Sequence, residues 1–253
     1  MAYKIVLDAG HGGKDPGAVY EGRKEKDDVL RLTMAVGEIL ENHGFDVEYT
    51  RTTDVYESPF EKAMEANRLG ADFFVSIHRN AFPTPNTVSG VEVLVYDKTG
   101  AKYQMAQSIN EQLESQGFVN LGVKERPNLV VLKRTKMPAV LVEAGFIDSD
   151  IDNKLFDQNF NAIAQGIADG ILDTLSSEGD IAPHNYSVQV GAYRNKTYAQ
   201  KLLDELLEQD YPAFLEASNG YYRVQVGSYP VLEAAVEMEQ RLKKAGYPTI
   251  VVG

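Results

Sequence analysis

Three short apolar runs each end on a residue that can bind a metal or move a proton, and this pattern restricts the fold more than any other feature of the chain. His11 follows Ile5-Val6-Leu7-Asp8-Ala9-Gly10, His78 follows Phe73-Phe74-Val75-Ser76-Ile77, and Glu143 follows Ala139-Val140-Leu141-Val142. Near-continuous apolar runs of this length read as parallel strands buried on both faces. Open α/β sheets place their ligand crevice at the carboxyl ends of such strands. The three groups are therefore expected at one edge of one sheet, as the metal site of a hydrolase.

Strand and helix patterns alternate through residue 175. Val29, Leu32, Val36, Ile39 and Leu40 share one face of a helix over Asp28–His43, with Gly44 as its stop. Ser58-Pro59-Phe60-Glu61 is a capping box with proline at the first helical position, and it starts a helix that runs to about Leu69. Strands are predicted over Phe45–Thr50, Gly90–Tyr96 and Leu129–Lys133, and helices over Ala101–Gln116 and Asp152–Leu175. This order predicts an α/β domain over residues 1–175, a mostly parallel sheet with helices on both faces. Residues 176–185 lack periodicity and read as a linker. Residues 186–253 contain an internal repeat, in which Tyr186-Ser187-Val188-Gln189-Val190-Gly191-Ala192-Tyr193 returns as Tyr222-Arg223-Val224-Gln225-Val226-Gly227-Ser228-Tyr229. Each copy leads into a helix and then a strand. The predicted module is a small α+β βαββαβ (ferredoxin-like) unit, a four-stranded antiparallel sheet backed by two helices.

Composition narrows the chemistry. The chain has no cysteine, which excludes disulfides and thiolate ligands and leaves His and carboxylates for any metal. Its net charge of −12, with acid outnumbering base on both sides of the linker, opposes nucleic-acid binding. No apolar run approaches the roughly 20 residues needed to span a bilayer. The first strand begins so close to Met1 that no secretory signal peptide is expected. Open zinc sites use three protein ligands, so His11 and His78 call for a carboxylate or a further histidine. His43, at a helix end, and His184, in the linker, read as solvated. The Glu25-Lys26-Asp27 stretch offers a carboxylate near the crevice.

Residues 3–175 resemble the catalytic domain of zinc-dependent N-acetylmuramoyl-L-alanine amidases, cell-wall hydrolases of the sporulation and autolysin type. The matching pieces are Asp8-Ala9-Gly10-His11-Gly12-Gly13, Glu25-Lys26-Asp27, Thr50-Arg51-Thr52-Thr53-Asp54, Ala71 through His78, and Pro138 through Ile147. The resemblance implies Zn2+ held by His11, Glu25 and His78, with Glu143 as the catalytic carboxylate. Two positions depart from the pattern. Val29 stands where such enzymes often carry Asn, and Arg79 stands where a small residue is common, a change expected to alter the charge of the groove.

Residues 186–253 resemble a SPOR domain through the repeated Val-Gln-Val-Gly-(Ala/Ser)-Tyr. That resemblance implies binding of peptidoglycan glycan strands stripped of their stem peptides. Alternation puts Gln189 and Gln225 on the open sheet face, and with Tyr193 and Tyr229 they are the candidate glycan contacts. The expected enzyme cleaves the amide between the lactyl group of N-acetylmuramic acid and L-alanine. The rival readings are a zinc peptidase acting on wall peptides and a catalytically dead wall-binding protein. With the substrate outside the membrane and no export signal visible, the expected route is synthesis in the cytoplasm and release by lysis, from a mother cell or as a phage-encoded endolysin.

Overall fold

The first apolar run forms β1 (Lys4–Ala9), buried from Ile5 onward. The computed structural model describes residues 3–177, 186–209, 211–218, 220–229 and 232–252, and the chain divides into two units, Met1–Asp180 and Ile181–Gly253. The first unit continues with a small hairpin of β2 (Val19–Tyr20) and β3 (Arg23–Lys24), then α1 (Glu25–Asn42), β4 (Asp46–Tyr49), α2 (Pro59–Leu69), β5 (Phe73–Asn80) and β6 (Val91–Val95). It ends with α3 (Gly100–Ser115), β7 (Asn120–Glu125), α4 (Val130–Arg134), β8 (Ala139–Phe146), α5 (Asp150–Gln158) and α6 (Phe160–Ser177). The six-stranded sheet has the order β4-β1-β5-β8-β6-β7. Its pairs are parallel except β6 with β8. The mostly parallel sheet is therefore present, with one antiparallel seam.

Both faces are covered. On one, α2 and α4 bury Ala66, Val131 and Leu132 against Val6, Phe74, Leu94 and Leu141 of the sheet. Elsewhere α6 packs on α1 and α3, with Ile163, Ile167 and Ile171 fully buried. The predicted capping box forms: the Ser58 hydroxyl accepts from the Glu61 N–H, the Glu61 carboxylate accepts from the Ser58 N–H, and Gly70 closes α2 in the left-handed conformation (φ 65°). None of the helices among the described residues is long and apolar enough to cross a membrane.

Several elements differ from the sequence reading. Leu129–Lys133, expected as a strand, contributes to helix α4, because a short apolar run reads alike in either period and here two of its side chains suffice to cap the sheet face beside α2. Strand β7 was not expected. It is a half-buried edge strand without apolar alternation. The long helix expected from Asp152 to Leu175 is broken at Asn159, whose side-chain amide donates to the Gln116 carbonyl at 3.2 Å. Of the residues expected as a linker, Ser176 and Ser177 belong to α6, and residues 178–185, His184 among them, lie outside the described residues.

The second unit comprises β9 (Tyr186–Tyr193), α7 (Lys196–Glu208), β10 (Ala213–Ser218), β11 (Tyr221–Tyr229), α8 (Leu232–Lys244) and β12 (Ile250–Val252). Its sheet order is β10-β11-β9-β12, antiparallel throughout, which is the expected βαββαβ module. Val188, Val190, Val224 and Val226 pack with Leu206, Met238 and Leu242 to form its core. The repeated Gly-X-Tyr has a packing cause. A Cβ on Gly191 would lie 2.7 Å from the Tyr193 ring, and one on Gly227 would lie 2.2 Å from the Tyr229 ring. Each tyrosine thus folds over the glycine two residues before it and packs against the core.

Candidate metal centre and its cleft

His11 lies two residues beyond β1 in a left-handed conformation (φ 60°) that side-chain-bearing residues adopt rarely. Hydrogen bonds hold it there. The buried Arg51 guanidinium donates to the carbonyls of Ala9 (3.0 Å), Gly10 (2.7 Å) and Lys26 (2.9 Å), tying the loop to the start of α1. Lys26 donates to the Gly13 carbonyl at 2.9 Å and pairs with Asp54 at 2.6 Å. Beneath the loop, Asp8 is 1% exposed and is met by Lys62 (2.7 Å), Thr50 (2.7 Å) and Ser76 (2.6 Å). Burial would raise its pKa, yet Lys62, His78 and Ser76 hold it below the usual carboxylate value. Removing one partner of such a pair strands a buried charge, so the pair locks the end of β1.

Helix α1 begins at Glu25 instead of Asp28, which puts the Glu25 carboxylate in the first turn, where the helix dipole favours negative charge. One oxygen of Glu25 lies 3.1 Å from His11 Nε2 and the other 2.9 Å from His78 Nδ1. Backbone N–H groups of Ala18 (2.9 Å) and Arg79 (3.0 Å) also donate to this carboxylate and fix its plane. The two imidazoles meet edge to face with centroids 4.8 Å apart. One potential ligand atom from each of His11, Glu25 and His78 falls within 4.8 Å of the others, so the three could hold a metal ion. On its far side His11 Nδ1 lies 2.9 Å from Asp15, a contact that directs Nε2 inward. Glycine makes the room. A Cβ on Gly10 would stand 2.4 Å from His78, and one on Gly17, itself at φ 66°, 2.6 Å from both Glu25 and His11.

Burial works against a charged His11, but Glu25 and Asp15 outweigh it and raise its pKa to about 9. Burial would raise Glu25, and the two histidines instead hold it well below the ordinary carboxylate range. A divalent cation suits this set, since it would replace the proton that His11 otherwise carries between Glu25 and Asp15.

Strands β5 and β8 run further than the sequence suggests, so His78 and Glu143 are direct cross-strand partners inside the sheet. The Glu143 Oε2 is buried and has no hydrogen-bond partner among the described residues. Burial, helped by Glu25 and Glu92, pushes Glu143 up to about 7. Glu92 pairs with Glu143 across the antiparallel seam and is held by Lys124 and by Asn80 at 3.0 Å. Arg79 does not reach the groove. It is 1% exposed, donates to Asp28 (2.7 Å) and to the Phe146 carbonyl (3.2 Å), and stacks on Phe156 at 4.3 Å. The expected change of groove charge is thereby corrected: adjacent strand residues face opposite ways. Val29 is fully buried in the core. His43 is also buried, not solvated, with its Nδ1 donating to the Ile39 carbonyl at 2.8 Å.

A cleft of about 260 Å³ opens beside His11 and His78. Its far wall is Leu129, Val130 and Val131 at the start of α4, and Glu57 and Pro59 flank it at the start of α2. No spacing in the sequence pointed to Glu57 or to residues 128–131. Their chemistry is ordinary, and only the fold brings them here.

In the second unit the paired residues Phe214, Gln225, Gln189 and Ile250 form one row across the sheet, on the face away from the valine core. Gln189 is half-buried, and Phe214 and Ile250 are exposed. Gln225 is not open as expected: it is buried, accepting from the Ser187 hydroxyl at 2.6 Å and donating to Glu216 at 2.7 Å. The Tyr193 and Tyr229 rings pack against the helix-side core.

Comparison with known proteins agrees with this architecture. The family model described as N-acetylmuramoyl-L-alanine amidase matches residues 5–173, and that of the SPOR domain matches residues 182–253. The sporulation-specific N-acetylmuramoyl-L-alanine amidase of Bacillus subtilis (strain 168) is 37% identical over 205 residues, covering 79% of this chain and 78% of that protein. The endolysin of Bacillus phage SPP1 is 39% identical over 186 residues, covering 70% of this chain and 67% of that protein. Among solved structures, the N-acetylmuramoyl-L-alanine amidase from Clostridium difficile 630 superposes with a TM-score of 0.66 at 33% identity, over 70% of this chain and 99% of that one.

Proposed function

The chain belongs to the N-acetylmuramoyl-L-alanine amidase family and carries a SPOR domain, and from that premise we propose that His11, Glu25 and His78 hold a zinc ion at which Glu143 moves the protons of amide hydrolysis. The reaction is cleavage of the peptidoglycan amide between the N-acetylmuramic acid lactyl group and L-alanine. It needs an activated water, a polarised carbonyl and a proton for the leaving nitrogen. Zinc held by these three residues would supply a Lewis acid and would lower the pKa of a water to about 7. Glu143 takes the proton of the attacking water on its unpartnered Oε2 and delivers it to the departing nitrogen of L-alanine. Asp15 holds the His11 ring in place, while Ala18 and Arg79 backbone groups hold Glu25. The observation that carries this reading is the convergence of His11, Glu25 and His78, with Glu143 one strand from His78.

The second unit tethers the enzyme to glycan strands stripped of stem peptides, through the row that contains Gln189, Phe214 and Ile250. Exposed apolar side chains beside an amide suit a sugar, which offers C–H faces and acetamido groups together. Gln225 lies within that row and orders it through Ser187 and Glu216. Tyr193 and Tyr229 shape the sheet under it.

Digestion of purified cell walls tests the whole reading. New amino groups should appear on L-alanine alone, without new reducing sugar, in proportion to zinc content. New amino groups on other residues would instead indicate a peptidase, and their absence a protein that only binds wall.

A further inference from the structure

The cleft beside the metal centre combines two chemistries. Pro59, Leu129, Val130, Val131 and Leu141 give it an apolar lining, and Glu57 puts a carboxylate among them. Other charges near it are already matched. Asp8 is paired with Lys62, and Asp15 contacts His11. The Lys62 ammonium is spent on Asp8 at 2.7 Å and on the Ala9 carbonyl at 2.6 Å. Glu57 is half-buried, and among the described residues no hydrogen bond or ion pair reaches its carboxylate. Burial raises its pKa, which Lys62 opposes and Asp8 reinforces. A carboxylate that has lost part of its water without gaining a partner carries a cost, and a cationic ligand offsets it.

We propose that Glu57 selects stem peptides bearing an aliphatic side chain that ends in an ammonium group. The methylenes would lie along Leu129 and Val130, and the ammonium would meet Glu57. The inference rests on the reading that the scissile amide lies beside His11, Glu25 and His78. It makes Glu57 a specificity residue for the peptide side of the substrate, with no part in bond breaking. An amino group on a de-N-acetylated sugar has the same charge but sits on the glycan side of the amide, without an aliphatic arm to fill the apolar wall.

Four soluble muramoyl-peptide substrates decide the matter. One pair carries a diamino residue in the stem peptide and differs only in whether its side-chain amine is free or N-acetylated, and the other differs only in glucosamine against N-acetylglucosamine. The full-length protein should favour the free side-chain amine by about tenfold in kcat/KM, the scale of one charge-assisted hydrogen bond. Glu57→Gln should bring that ratio close to one. Because the ratio is internal to each protein, a partial loss of folded enzyme does not alter it. Equal rates on the first pair, or a preference that survives in Glu57→Gln, would overturn the proposal. A preference for glucosamine that Glu57→Gln removes would assign the ammonium to the glycan and overturn the peptide assignment. Failure to cleave any of the four would refute the placement of the amide at this cleft, and the inference with it.

Discussion

A methyl group at position 10 would collide with the His78 imidazole at 2.4 Å, so the first glycine of Gly10-His11-Gly12-Gly13 serves a residue 68 positions away. Its type is visible in the sequence and its reason is not, because the reason is a contact made by another strand. The same holds for Glu143. Its place after an apolar run marks it as costly and hence purposeful, but its partnership with His78 depends on the register between β5 and β8. Glu143→Gln preserves the shape and removes the base. Turnover should fall by roughly 10²–10⁴-fold with bound metal unchanged. Near-normal hydrolysis by folded, metal-loaded Glu143→Gln would transfer the proton to another group. Arg79 teaches the opposite lesson: a charged residue next to His78 reads as part of the groove, and alternation turns it into the packing between α1 and α5.

Elements with local causes are legible, and elements with distant causes are not. Helix α2 is announced by its own residues, since Ser58 and Glu61 make both bonds of its capping box and Pro59 stands at its first position. Ser58→Ala should therefore cost about 1 kcal/mol of stability, read as a lower midpoint in denaturant with an unchanged slope. No loss would mean that tertiary packing alone sets this end of α2. The short run Leu129–Lys133 carries no such signal. Val131 and Leu132 are both buried in the helix, in one cluster with Ala66 of α2, a packing that the run itself does not announce. The break between α5 and α6 depends on Asn159 reaching the Gln116 carbonyl, again beyond any local window. In the repeat, Val-Gln-Val-Gly-X-Tyr reads correctly as two equivalent strands. The burial of Gln225 follows from Ser187 and Glu216 on the neighbouring strands, which a one-strand reading cannot see.

At the scale of the molecule, the division into an amidase unit and a glycan-tethering unit is open to test by separation. Residues 1–177 hold the whole six-stranded sheet and each proposed catalytic residue. That fragment should cleave soluble muramoyl-peptides at close to the full-length rate. It should lose most of its activity on intact walls, because an acidic unit gains nothing electrostatically from an anionic wall and a tether raises local substrate concentration to about millimolar. Equal wall activity of fragment and full chain would leave the second unit without a role in catalysis. The proposed reaction turns on the metal centre, and its ligands are tested most directly by metal content. The full-length protein purified with zinc should retain one equivalent through gel filtration. Its His78→Ala variant, folded by circular dichroism, should retain none and release no L-alanine amino groups from walls. A full equivalent of zinc on folded His78→Ala would contradict the assignment of His11, Glu25 and His78 as the site.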